Sequence, residues 1–128
     1  MADNHKRIST KGLSKEYDFK RYPRGFGIVF RAYVQGAIRR DIDFTLTTRE
    51  VYTLMSKPCH YCGLLPYNQT LELVYNGIDR VRADGSYTIN NVVACCKLCN
   101  RMKSALTIED FLNHISLIHS YNEEDFSD

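Results

Sequence analysis

Two Cys-x-x-Cys pairs, Cys59/Cys62 and Cys96/Cys99, have 33 residues between them and constrain this chain more than any other feature. Each pair presents two thiolates on one tight turn, and two such turns complete a tetrahedral zinc sphere. Gly63, directly after Cys62, suits the sharp reversal expected there. Cys95 lies beside Cys96, so either could partner Cys99, but only Cys96 keeps the two-residue spacing. Cys95 also follows a Val-Val-Ala run that reads as a strand and would point it into the core. The alternative is five scattered or buried thiols without a metal, and the doubled spacing argues against it. His60 sits inside the first pair and reads as a surface residue rather than a fifth ligand. Four thiolates leave no open position for water, so this zinc is expected to be structural. Any chemistry must then sit elsewhere.

A chain of 128 residues suits one domain with a modest core that a metal staple would reinforce. No apolar run approaches a membrane span, and the opening MADNHKRIST lacks a signal-peptide core. An intracellular, cytoplasmic setting is therefore expected, where five cysteines argue for metal before disulfides. The net charge of +2 conceals a gradient. Residues 1–58 carry 12 Lys/Arg against 6 Asp/Glu, residues 59–103 carry 5 against 3, and residues 104–128 carry none against 6. Such a basic front and middle suit a polyanionic partner, although small soluble proteins without one show similar drift.

Residues 1–25 read as a basic arm or lead-in, residues 26–120 as the folded domain and residues 121–128 as an acidic tail. From Gly27, Phe30, Tyr33, Val34 and Ala37 recur at helical spacing, with Arg31, Arg39 and Arg40 on the other side or at the end. Residues 41–46 read as an extended link. Thr47 with Glu50 forms a capping-box pattern for a helix carrying Val51, Leu54 and Met55, which Pro58 stops. Between the cysteine pairs, Leu71–Tyr75 reads as a strand, Asn76-Gly77 as a turn, Ile78–Val81 as a strand, Ala83–Ser86 as a turn and Asn91–Ala94 as a returning strand. A helix is expected to start within Cys96–Asn100, and Thr107 and Asp110 cap a last helix with the face Ile108, Phe111, Leu112, Ile115 and Ile118.

The run Asn76-Gly-Ile-Asp-Arg-Val81, then Gly85-Ser-Tyr87, Asn91-Val-Val-Ala-Cys-Cys96 and Cys99-Asn-Arg-Met-Lys103 resembles the HNH endonucleases, specifically their zinc-bearing phage-type branch related to endonuclease VII. The likeness covers about residues 30–118. It implies an α+β fold: a small zinc-stapled ββα-metal core with flanking helices before and after it. Carried over by motif position, the resemblance makes Asp79 and Asn100 ligands of a catalytic Mg2+ or Mn2+, and Asn91 the middle Asn of the motif. One carboxylate and one amide carbonyl leave most of an octahedral sphere for water and phosphate oxygens. Arg80 stands where many members have a His base. A guanidinium cannot take a proton, but it can clamp a phosphate. The base is left open among Tyr87, His60, His114 and a metal-bound hydroxide. Arg82 and Ala94 replace a common acid and a common Pro.

The implied function is metal-dependent hydrolysis of DNA phosphodiesters, as a nicking activity if the protein is monomeric. Arg80, Arg82, Arg101 and Lys103 would meet phosphates near the cut, and Arg31, Arg39 and Arg40 would supply flanking affinity. No membrane or small-molecule cofactor is expected, and the oligomeric state is open. A rival reading keeps the fold as a zinc-stabilised binding module for DNA or protein without catalysis. Asp79 would then be a turn-side acid paired with Arg80 or Arg82, and Asn100 a helix-start cap. A redox role for Cys95 lacks any neighbouring activating base.

Overall fold

The structure is a computed structural model and describes residues 18–126. Its elements are a 3-10 turn (Phe19–Arg21), α1 (Phe26–Arg39), α2 (Thr48–Met55), β1 (Asn68–Thr70), β2 (Leu73–Tyr75), β3 (Gly77–Arg80), a 3-10 turn (Ile89–Asn91), β4 (Val92–Cys95), α3 (Lys97–Lys103) and α4 (Ile108–Phe126). The strands form two antiparallel hairpins, β1–β2 and β3–β4. The expected α+β architecture, with helices flanking a ββα unit, is observed.

The core grows from the apolar stripe of α1. Phe26, Phe30, Val34 and Ala37 are buried at helical spacing against Phe44, Leu46, Val51, Met55, Leu73 and Ile78. Phe30 meets Phe44 edge-on at 5.7 Å, a favoured aromatic geometry. Residues 1–17 of the expected arm lie outside the described residues, whereas Phe19 and Tyr22 pack onto this cluster. Both bonds of the Thr47/Glu50 capping box form, which fixes where α2 starts.

The segment between the cysteine pairs departs from expectation in three places. Leu71–Tyr75 is not one strand: Leu71 takes φ 53°, and the chain reverses there so that Asn68 pairs with Tyr75. Gly25 (φ 105°) abuts that reversal so closely that a Cβ on it would overlap the Thr70 carbonyl. Asn76-Gly77 is a junction instead of a turn. The buried Asn76 donates its side chain to Lys57 O (2.9 Å) and to Leu64 O (3.3 Å), which also accepts from Cys59 N–H (2.9 Å), so it ties the end of α2 to the first cysteine turn. Asn91 closes a 3-10 turn, and β4 begins at Val92.

The last helix is also longer and barer than its pattern implied. Phe111 is buried, but Leu112 and Ile118 are exposed. The helix runs to Phe126, so residues 121–126 of the expected tail are helical. Among the described residues no helix is long and apolar enough to cross a membrane.

Candidate metal centre and active-site cleft

The four paired cysteines converge: their sulfurs lie within 4.8 Å of one another. Cys62 Sγ and Cys96 Sγ are 3.7 Å apart, which matches the edge of a tetrahedron with metal–sulfur bonds of about 2.3 Å. Local backbone explains the convergence. The first turn closes with Gly63 N–H donating to Cys59 O (2.9 Å), and Gly63 takes φ 78°. Cys96 caps α3, its sulfur accepting from Cys99 N–H at 3.3 Å. Burial raises the Cys59 thiol, but backbone donors from Cys96, Cys62 and Tyr61 outweigh it and bring the pKa down to about 6. Cys99 is pushed up, first by burial and then by the Cys62 and Cys96 thiols. Four thiolates this close would repel unless a cation sat among them. Cys95 is buried beside them, and burial pushes its thiol well above the ordinary range, so it stays an unreactive neutral thiol.

The second knuckle also sets the cleft. Cys99 and Lys103 are buried on one side of α3, four residues apart, while Asn100, on the next position, lines the cleft. Strand alternation puts Asp79 on the opposite face from the core residue Ile78. The resulting cleft, about 440 Å³, lies between α1, β3 and α3, and its lining includes Tyr33, Arg39, Arg40, Asp79, Arg80, Tyr87, Asn100 and Lys103. Tyr33 closes its floor, its hydroxyl oxygen accepting from Ile78 N–H at 3.0 Å. Burial pushes that phenol up to about 12. The approach is tight enough that Gly77 has no room for a Cβ, which would lie 2.7 Å from the Tyr33 oxygen.

Asp79 is gripped from two sides. Tyr61, inside the first cysteine turn, donates to Oδ2 at 2.7 Å, and the buried Lys103 ammonium lies 3.1 Å from the same oxygen. Burial, then the bond to Asp79, hold the Tyr61 phenol above its ordinary range, so it remains a donor. Oδ1 has no hydrogen-bond partner among the described residues, yet it is not sealed from solvent. The Asn100 side chain likewise makes no hydrogen bond among the described residues and is exposed. An accessible carboxylate oxygen and an uncommitted amide on one cleft wall suit a hard divalent cation.

The other motif positions serve the loop. Arg80 donates from Nη1 to Ala83 O (2.6 Å) and Gly85 O (2.7 Å), and its guanidinium lies over the Tyr87 ring at 5.4 Å. Asn91 accepts from Arg82 N–H (3.0 Å) and donates to Arg82 O (3.2 Å) and Ser86 O (2.9 Å). It fastens the 82–86 loop and does not line the cleft. Replacing it by Ala should cost about 1–3 kcal/mol, since the Arg82 and Ser86 backbone groups, part-buried by these bonds, lose their partners. Thermal denaturation should show that loss with the metal content per chain unchanged.

Arg31, Arg82 and Arg101 are outside the cleft lining. Arg31 lies over Phe19 at 4.6 Å, and Arg82 faces Asp84 at 4.0 Å. Of the base candidates, Tyr87 lines the cleft, and its hydroxyl accepts from Arg40 Nη2 at 3.0 Å. His60 and His114 do not line it. Sequence reading missed Tyr61 altogether. Its one signal was its place between two cysteines, which gives no hint of a partner 18 residues on.

No protein-family model matches the sequence. An uncharacterised protein, R423, of Acanthamoeba polyphaga mimivirus is 30% identical over 131 residues, covering 94% of this chain. That stretch is 24% of the relative, so this chain spans about a quarter of its length. Among solved structures, the rare-cutting HNH restriction endonuclease PacI, studied for its perturbation of DNA, superposes with a TM-score of 0.56 at 17% identity. The match takes in 78% of this chain and 81% of that one. The chain therefore has an α+β fold like that of an HNH endonuclease, with four cysteines positioned to bind a metal ion.

Proposed function

We propose that this protein is a metal-dependent, HNH-type DNA endonuclease that nicks phosphodiesters, akin to the zinc-bearing phage-type branch. The observation that carries the reading is the cleft in which Asp79, with one accessible oxygen, and Asn100 meet Arg39, Arg40 and Arg80. The four cysteines fit a structural zinc. Asp79 Oδ1 and the Asn100 amide would hold Mg2+ or Mn2+, which when bound supplies Lewis-acid stabilisation of the leaving oxyanion. The chain's own groups do the rest. Arg39 and Arg40, at the end of α1, attract and seat the phosphate backbone, and the Arg80 nitrogens not spent on the loop carbonyls face the same charge.

One observation favours the rival, a binding module without catalysis. Among the described residues no histidine lines the cleft, and Arg80 is partly spent on loop carbonyls. A supercoiled-plasmid assay separates the two. Relaxation that needs Mg2+ or Mn2+ and is lost in Asn100→Ala is expected; binding without cleavage at any divalent concentration would establish the rival. Arg39→Ala should weaken duplex binding at low salt and reduce the slope of log affinity against log salt by about one. Titrations at several salt concentrations measure that slope.

A further inference from the structure

The two oxygens of Asp79 have different fates. Oδ2 is taken by Tyr61 and by Lys103, a pair whose side chains are only 3% (Lys103) and 10% (Asp79) exposed, while Oδ1 is left to the cleft. Among the described residues, Asp79 is also the sole carboxylate in a lining that holds Arg39, Arg40, Arg80 and Lys103. The carboxylate that would attract a divalent cation is thus already neutralised, and Arg39, Arg40 and Arg80 line the same cleft. Coulomb repulsion from those charges disfavours a bare dication. A phosphodiester entering the cleft changes the balance: its negative charge offsets the arginines, and its oxygens add hard ligands.

We propose that Lys103 is a positioning residue that neutralises Asp79 in the free protein, so that the divalent cation enters the cleft together with a phosphate group and not before it. Tyr61 keeps hold of Oδ2 throughout, so Oδ1 is presented as a single-oxygen ligand whether or not Lys103 turns toward the phosphate. This rests on the endonuclease reading.

The test is Mn2+ uptake by the zinc-loaded protein, followed by loss of the free Mn2+ paramagnetic resonance signal. It is measured with and without a short DNA duplex, with the duplex alone supplying its own background. Wild-type protein should bind Mn2+ about tenfold or more tightly with duplex present. Lys103→Met, which keeps the apolar stem and removes the charge, should bind Mn2+ more tightly without DNA and so lower that ratio severalfold. Lys103→Arg should keep the wild-type ratio. Equal Mn2+ affinity in wild-type protein with and without duplex overturns the proposal, and this comparison stands even if Lys103→Met fails to fold. An unchanged ratio in a folded Lys103→Met protein overturns it too. Absence of Mn2+ uptake in both conditions, with duplex still bound, is distinct: it removes the cation site, and with it both the nuclease reading and this proposal.

Discussion

Stripping the metal from the four cysteines should unfold residues 59–103 and take the cleft with them. The elements there are too short to stand alone: strands of three or four residues and a helix of seven. Their large buried apolar residues are few, chiefly Leu73, Ile78, Tyr87 and Val92. A structural zinc contributes about 10–16 kcal/mol at neutral pH in small domains, against a typical total stability of about 5–15 kcal/mol. Loss of the ion therefore exceeds what the remaining contacts can offset. Dialysis against a strong chelator should lower the far-UV signal and release one metal ion per chain. Part of the helical signal should survive, because α1 and α2 share their own aromatic cluster with Tyr22 and Tyr52. Cys96→Ser should act likewise, since it removes a metal ligand while leaving a hydroxyl able to cap α3. A metal-depleted protein or a Cys96→Ser variant that keeps the native spectrum and melting curve would remove the structural role of the site.

Asp79→Asn should reduce divalent-dependent cleavage by about 10²–10³-fold, the loss of several kcal/mol of transition-state stabilisation at about 1.36 kcal/mol per decade. The choice of Asn over Ala matters. Asp79→Ala leaves the Lys103 ammonium without its counter-charge in a site where its side chain is 3% exposed, and orphaning one member of a buried pair costs about 3–5 kcal/mol. Activity would then fall for want of folded protein. Asn removes the same counter-charge but keeps an oxygen to accept from the Tyr61 hydroxyl and Lys103, so the melting curve should fall less than in Asp79→Ala while cleavage collapses. Plasmid relaxation and thermal melting on the same preparation separate the effects. Undiminished relaxation by a folded Asp79→Asn protein would dismiss this cleft as the active site.

What could be read in the sequence was whatever depends on neighbours a few residues apart. The cysteine spacings, the Thr47/Glu50 box and the stripe through Phe30, Val34 and Ala37 are local patterns, and each has its counterpart in the fold. Asp79 and Asn100 could be named as a pair through motif resemblance, and they do line one cleft. The grip on Asp79 could not be read, because Tyr61, in the first cysteine turn, and Lys103, at the end of α3, approach it from 18 and 24 positions away along the chain. For the same reason Lys103 read as a surface phosphate contact, although it is buried. The Leu71 reversal escaped because a branched residue with positive φ contradicts local preference and is held by Arg24 O, which accepts from Glu72 and Leu73 N–H. Amphipathic spacing in α4 described a face correctly but could not say what covers it.

The bond from Arg40 to Tyr87 joins residues 47 apart, and the Phe44–Tyr87 bridge beside it ties the same two regions. Closing so long a loop sacrifices chain entropy before any contact there repays it. The helical half can form from short-range contacts, whereas the cleft must wait for distant segments to meet. During synthesis the arginines at the end of α1 emerge long before the cleft residues of β3 and α3. Assembly of the site is thus a late event in the life of each new chain, completed only once the second cysteine turn has left the ribosome.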